Sequence, residues 1–204
     1  ENKQNANLIK SRLLFLNPSV IEKIENAVIT VNPPEKHEIV LKPDKPWENG
    51  LFGFYLTVIE DGGRLRMWYT VVDRNDRESL IYAESWDGIH WNKPNLGITT
   101  YEGSKDNNCV GVPHDGGTVF VDPNCSADGR YKYVVQTIFP GQGIFVFRSP
   151  DGFHWTRDSE PLLQFSCDTQ NVAFWDHRLN KYVLFLRGNI GSKNERRRLV
   201  MRTT

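Results

Sequence analysis

Three short stretches of this 204-residue chain gather carboxylates with amides or hydroxyls: Asp44-Lys45-Pro46-Trp47-Glu48-Asn49, Ser104-Lys105-Asp106-Asn107-Asn108 and Cys167-Asp168-Thr169-Gln170-Asn171. Each is read as the approach to an apolar strand. Carboxyl groups that converge on one point suit cleavage of a glycosidic bond, in which one protonates the leaving oxygen and another attacks or activates water. Glu48, Asp106 and Asp168 are the candidate catalytic groups. Trp47, Asn107, Asn108, Gln170 and Asn171 are the candidate substrate contacts, by stacking or hydrogen bonding. Asp44, Glu48 and Asp106 also lie in Pro- or Asn-rich loops, where ordinary turn and capping roles are common. Asp168 is harder to assign to packing, because four polar residues in a row sit between Phe165 and the run Val172 to Trp175. Other chemistries find little support. His37, His114 and His177 lack metal-ligand spacing with cysteine or carboxylate, Gly141-Gln142-Gly143 is too short for a phosphate loop, and no nucleophile elbow is present. No metal and no cofactor is expected.

The elements that would position these residues are announced by a repeat. Ser85-Trp86-Asp87-Gly88-Ile89-His90-Trp91 returns as Ser149-Pro150-Asp151-Gly152-Phe153-His154-Trp155, with Ser, Asp, Gly, His and Trp identical. The flanks repeat as well. Strand-like runs 64–69 and 80–84 precede the first copy, and 130–135 and 143–148 precede the second. A third unit supplies 181–186 and 198–204. Each unit opens with its own apolar run, 52–59, 117–121 and 171–175, and Asp/Gly- or Asn-containing turns follow these runs. Each unit therefore reads as four strands, with the Ser-x-Asp-Gly turn between the third and fourth. Turn chemistry accounts for Asp87, Asp151, His90 and His154, since Asp accepts backbone N–H bonds and Gly tolerates positive φ. The Trp that follows is expected to cover its sheet and pack against the next unit. The fold class predicted is all-β, a β-propeller of four-stranded blades with about two and a half to three blades present. A sandwich would not produce so regular a four-strand cycle.

Residues 1–45 read as a lead-in segment packing on the propeller, with short strands at 13–16 and 28–31 and a turn or brief helix at 20–24; residues 46–204 carry blades 1 to 3, the third incomplete. The third unit stops where its own Ser/Thr-x-Asp-Gly turn would begin. A propeller must close to protect its edges, so the chain reads as a truncated propeller that needs its remaining blades or another chain. Lys plus Arg and Asp plus Glu both number 25, for a formal charge of zero, which argues against nucleic acid or an anionic membrane surface as partner. The only basic run, Arg196-Arg197-Arg198, reads as a solvated face. No apolar stretch approaches a membrane span, so no membrane insertion is expected. Cys109, Cys125 and Cys167 form an odd set without metal spacing and are read as buried free thiols, with one disulfide plus a free thiol as the alternative.

The two turns, the strand Arg66-Met67-Trp68-Tyr69, the stretches 91–97 and 101–108, and Asp168-Thr169-Gln170-Asn171-Val172-Ala173-Phe174-Trp175-Asp176 together resemble bacterial proteins of the five-bladed propeller glycosidase group, related to glycoside hydrolase families 32 and 43. Phe15-Leu16-Asn17 and Asn32-Pro33-Pro34-Glu35-Lys36-His37 are similar to their lead-in. The resemblance implies five blades in the full protein, acidic residues around the axis, an oligosaccharide or glycoside as partner, and export to the periplasm or beyond. It places Asp168 where an acidic residue is expected at the third blade. The family 32 Trp-x-Asn-Asp-Pro-Asn-Gly box is absent, and Trp47-Glu48-Asn49-Gly50 stands in its place without the Asp. The Arg-Asp-Pro and Glu-Cys boxes are absent too. A non-catalytic glycan-binding or interaction propeller is the alternative reading.

Overall fold

The computed structural model describes residues 21–112, 116–137, 141–165, 167, 169–190 and 197–204. Among the described residues eleven strands form three antiparallel meanders. The first is β1 (Leu51–Asp61), β2 (Arg64–Val72), β3 (Glu78–Ser85) and β4 (Trp91–Asn92). The second is β5 (Thr118–Val121), β6 (Tyr131–Thr137), β7 (Gly143–Ser149) and β8 (Thr156–Arg157), and the third is β9 (Val172–Asp176), β10 (Lys181–Ile190) and β11 (Arg197–Thr203). These are propeller-type blades, and the described ones do not close into a ring. The chain divides at Glu38/Ile39 into two compact units, and among the described residues every strand belongs to the second. In the first unit the expected strand at 28–31 is not formed: Val28 and Val31 are exposed and pair with nothing among the described residues. A strand without a ladder partner leaves its backbone groups to water, and β-branched composition does not offset that. No helix forms over 21–24, and the expected strand at 13–16 lies outside the described residues.

Alternation decides how the blades stack. Trp68 and Tyr82, paired across β2 and β3, point to one face and form a core with Val119, Tyr131, Tyr133, Val135, Phe145 and Phe147 of the second blade. Met67, Tyr69, Val71, Ile81 and Ala83 point the other way and are covered by Leu41, Trp47, Tyr101 and Cys109. A third core joins Val134 and Ile144 to Ala173, Leu184 and Leu186, seating the third blade on the second. The innermost strands are β1, β5 and β9. The outermost position of each four-stranded blade is shared: β4 pairs with the end of β3, and 108–110 runs beside the rest, with Tyr82 N donating to Asn108 O (3.0 Å) and Val110 N to Leu80 O (2.8 Å). Residues 158–163 do the same beside β7, where Asp158 N donates to Val146 O (2.9 Å) and Leu162 N to Ile144 O (2.7 Å).

The repeated turns follow the expected chemistry. In the second copy Asp151 Oδ1 accepts from Phe153 N (2.8 Å), His154 N (2.9 Å) and Ser149 Oγ (2.9 Å), and Oδ2 faces His154 Nδ1 at 2.7 Å. Gly152 sits at φ +84, a left-handed conformation that an L side chain adopts only at a cost. The Trp covers its own sheet as expected, Trp155 lying 5.9 Å from Tyr133 and Trp91 packing on the core around Tyr69, and only its packing against the next unit is corrected. Trp91 and Trp155 fold back over their own turns, with Nε1 on Gly88 O (3.0 Å) and Gly152 O (3.1 Å). The inter-blade contact is made by the turn itself and reaches the preceding blade: Trp68 Nε1 donates to Gly152 O at 2.9 Å, and Phe153 packs edge-on against Tyr82 at 4.7 Å.

Two carboxylates that tie off loops set an expectation for acid stability. Burial opposes ionisation of Asp73, but N–H donation from Arg77 and Asn75 and the Tyr101 hydroxyl outweigh it and bring the group from 3.8 to about 2. The Arg178 guanidinium, with backbone N–H groups of Arg178 and Leu179, brings Asp176 to about 2 against the opposing effect of burial. Both folded values lie below the unfolded one, so on acidification the unfolded chain takes up protons first. Their contribution is therefore complete above about pH 4 and is lost as pH falls through about 2. Urea midpoints measured from pH 6 to pH 2 should stay level and then fall in that window, less steeply in Asp73→Asn. A fall centred on pH 6 would contradict this assignment.

Candidate functional site

The carboxylate and amide candidates separate into two places. Trp47, Glu48, Asn107 and Asn108 gather on the face of the first blade that points away from the second. Pro46–Glu48 forms a single 3-10 turn ahead of β1, and Pro at its start fits because that N–H has no helical partner. Trp47 Nε1 donates to Asn108 Oδ1 (2.9 Å), and Asn108 Nδ2 donates to Tyr82 O (2.6 Å). Glu48, 1% exposed, accepts from Tyr69 OH (2.7 Å) on Oε1, and from Asp44 N (2.9 Å), Lys45 N (3.2 Å) and Lys93 Nζ (2.7 Å) on Oε2. Burial, and then the Glu48 charge, push the Tyr69 phenol far above its ordinary value, so it stays a proton donor. Lys93 also bridges Asp44 Oδ1 (2.7 Å), whose carboxyl it holds below the usual range.

Asn107 is equally committed. Its Nδ2 donates to Thr99 O (3.0 Å) and Ser104 O (3.2 Å), and its Oδ1 accepts from Cys109 N (3.0 Å) and Thr99 Oγ1 (3.1 Å). The segment 104–108 is thus corrected. It belongs to the outer edge of the first blade, and the chain reaches β5 through 111–117. A polar cluster before a strand looked like the approach to an axis because the outermost position is filled by two separate pieces of chain, which no strand count reveals. Asp106 is exposed there and accepts from Asn95 Nδ2. The polar atoms of Trp47, Glu48, Asn107 and Asn108 are engaged within the protein.

The second place is the inner rim, where β1, β5 and β9 meet. Asn171, fully buried, donates from its backbone to Gly116 O (2.6 Å) and from Nδ2 to Gly116 O (3.2 Å) and Thr169 O (3.2 Å), while its Oδ1 accepts from Cys167 Sγ (2.7 Å). Thr118 Oγ1 donates to Asn171 O, and Cys167 N donates to the Gln136 amide oxygen. Gly116, at φ +71, passes so close to Thr169 that a Cβ would lie 2.5 Å from its carbonyl oxygen. Gln170 reaches across from the third blade to the first, with Nε2 on Leu56 O at 2.8 Å, and Val119 N donates to Thr57 Oγ1 at 3.3 Å. Asn171 is therefore a knot in the framework, and Gln170, half-buried, is the candidate contact with reach. Asp168 lies outside the described residues, but its chain neighbours Cys167 and Thr169 are both tied into this rim. Thr57, Gly116 and Thr118 were not singled out in the sequence. Their only signal was position in, or just before, an innermost strand.

Cys109 and Cys167 are buried free thiols as expected, and burial pushes Cys109 up to about 11. Cys125 departs from the expectation: it is half-buried, 3.0 Å from Lys132 Nζ, which lowers its pKa. Among the described residues no group of three His, Cys, Asp or Glu is placed to hold a metal, and no helix is long and apolar enough to cross a membrane.

No protein-family profile matches the chain, and no curated protein matches it. Among solved structures, one named glycoside hydrolase is similar at a TM-score of 0.48 and 15% identity, over 79% of this chain and 55% of that one. The chain thus spans about half the length of that protein.

Proposed function

We propose that this chain is part of a carbohydrate-active propeller that takes a glycoside at the inner rim, with Asp168 as its acid or nucleophile and Gln170 as a hydrogen-bonding contact. The observation that supports this reading is the convergence of the approaches to β5 and β9 with β1, through Asn171, Gly116 and the Gln170–Leu56 bond. Ligands of a propeller lie where innermost strands meet, and a carboxylate beside a fixed amide there can hold a sugar hydroxyl while it transfers a proton. Glu48 does not share this role, since four donors occupy its oxygens, and the second carboxylate of a hydrolase would come from elsewhere on the rim.

The test is hydrolysis of a panel of aryl glycosides and oligosaccharides by the natural full-length protein and its Asp168→Asn variant. The expected result is loss of turnover by about a hundredfold or more, the scale for losing a general acid or base, with glycan binding retained. Unchanged turnover in Asp168→Asn would refute the assignment. Because Glu48 and Asp106 lie on the first blade away from the inner rim, binding without turnover is the second reading. Saturable glycan binding by a wild-type protein that hydrolyses nothing would support it.

A further inference from the structure

The boundary between the first and second blades and the boundary between the second and third are built on one plan. Register makes the correspondence explicit: Arg66 pairs with Glu84 and Trp68 with Tyr82, as Lys132 pairs with Arg148 and Val134 with Val146. Asp61 closes β1 and meets the Tyr131 hydroxyl; Asp122, which follows β5, accepts from Tyr182 OH at 2.8 Å and faces Lys132 Nζ at 3.4 Å. At the first boundary the space above Arg66, Trp68 and Tyr82 is filled by the turn of the second blade. There Arg66 donates to Asp151 O (2.7 Å), Trp68 to Gly152 O (2.9 Å), and the Phe153 ring lies 4.9 Å from the Arg66 guanidinium. At the second boundary the corresponding residues, Lys132, Val134, Val146 and Arg148, line a cavity of about 400 Å³ that also touches Leu163 and Thr203.

We infer that this cavity is a docking socket for a Ser/Thr-x-Asp-Gly-aromatic turn followed by a short strand, the same element that Ser149–Arg157 supplies one blade earlier. Three features fit that occupant. The socket has an apolar floor for the aromatic ring, and Lys132, at the position of Arg66, suits the backbone carbonyl of the Asp, although Lys132 and Arg148 already face Asp122 (3.4 Å) and Asp158 (2.6 Å). Thr203 of β11 stands at its mouth. Among the described residues β11 pairs only with β10, so its other edge is open for the strand arm, as β7 receives β8 through Phe147–Arg157 and Arg148–Thr156. Strand addition at that edge and insertion of the turn are one continuous contact.

The experiment uses the 204-residue chain and a fluorescent peptide with the sequence of residues 147–158. Saturable binding is expected, weakened about tenfold or more by Gly152→Ala or Phe153→Ala in the peptide, as for loss of a buried anchor. A photoreactive group placed at Phe153 of the peptide should cross-link to Val146 or Leu163. Because the discriminating changes are in the peptide, folding of the chain is not in question. Absence of saturable binding, equal binding by the Gly152→Ala and Phe153→Ala peptides, or cross-links confined to the first blade would overturn the proposal. So would concentration-dependent self-association that buries this groove and that the peptide does not displace, which would make a second copy the occupant.

Discussion

Arg66→Ala is expected to destabilise the chain by about 3–5 kcal/mol, the range for removing one partner of a buried, hydrogen-bonded charge cluster. The Arg66 guanidinium donates to Tyr82 OH (3.0 Å), Tyr131 OH, Asp61 Oδ2 (3.4 Å) and Asp151 O (2.7 Å). It lies 4.9 Å from the rings of Tyr131 and Phe153, 5.3 Å from Trp68 and 5.4 Å from Tyr82. Its side chain is 12% exposed, so these contacts are little screened. Truncation would leave the Asp151 carbonyl and the Tyr82 hydroxyl short of a donor, leave the Tyr131 hydroxyl with Arg130 alone as donor, and open a void among four rings. Arg66→Lys should cost about 2 kcal/mol, because an ammonium cannot stack flat or donate along several in-plane directions. The control is Arg64→Ala on the same strand. Arg64 pairs with Glu84 at 2.6 Å and lies over Trp86, but its side chain is 40% exposed. Solvent screening should hold its effect below about 1 kcal/mol. Urea unfolding followed by tryptophan fluorescence measures all three; equal, small losses for Arg66→Ala and Arg64→Ala would remove the cluster from the account of how the blades hold together.

That cluster was not anticipated from the sequence, although the strands around it were. Nine of the eleven described strands fall on or beside runs that alternate or stay apolar between Gly/Asp turns, and the two short ones, β4 and β8, follow the repeated turns, because a two-residue period and a turn are local properties. The Ser-x-Asp-Gly turn was legible for the same reason, since each of its bonds spans two or three residues. Arg66 to Tyr131 spans 65 residues, and Trp68 to Gly152 spans 84. A recurring Asp at 61, 122 and 176 was the available hint, and it gains meaning only once the blades are stacked. The placement of the candidate site residues was hidden for the same reason. Glu48 and Asn108 read as lining an axis, yet they are joined through Trp47 on one face of a blade, because the piece of chain at 108–110 completes the outer edge of the sheet instead of leading inward. Among the described candidates Gln170 and Asn171 came out near the innermost strands. There the polar run directly abuts a strand, with no intervening segment to be diverted.

Glu48→Ala should cost about 3–5 kcal/mol as well, for a different reason. Arg66 joins two blades, whereas Glu48 holds the approach to β1 against its own blade. Removing the carboxylate leaves the Tyr69 hydroxyl without its acceptor and the Lys93 ammonium, whose side chain is 6% exposed, with only Asp44 Oδ1 and Lys42 O at 2.7 Å. Glu48→Gln keeps the shape but turns an amide N–H₂ toward one of four donors, and should cost about 2–3 kcal/mol, the penalty of an unsatisfied buried group. Lys93→Met tests whether charge is the reason. Alone it leaves a buried carboxylate with three remaining donors. Combined with Glu48→Gln, it removes both charges, so the double variant should be more stable than the sum of the single losses by about 1–3 kcal/mol. Strict additivity would mean that the two groups act separately. The same variants bear on the chemistry. A structural Glu48 predicts that Glu48→Gln loses stability and keeps the pH profile and specific activity of its folded fraction. A catalytic Glu48 predicts native stability with turnover gone, and that outcome would return it to the active site.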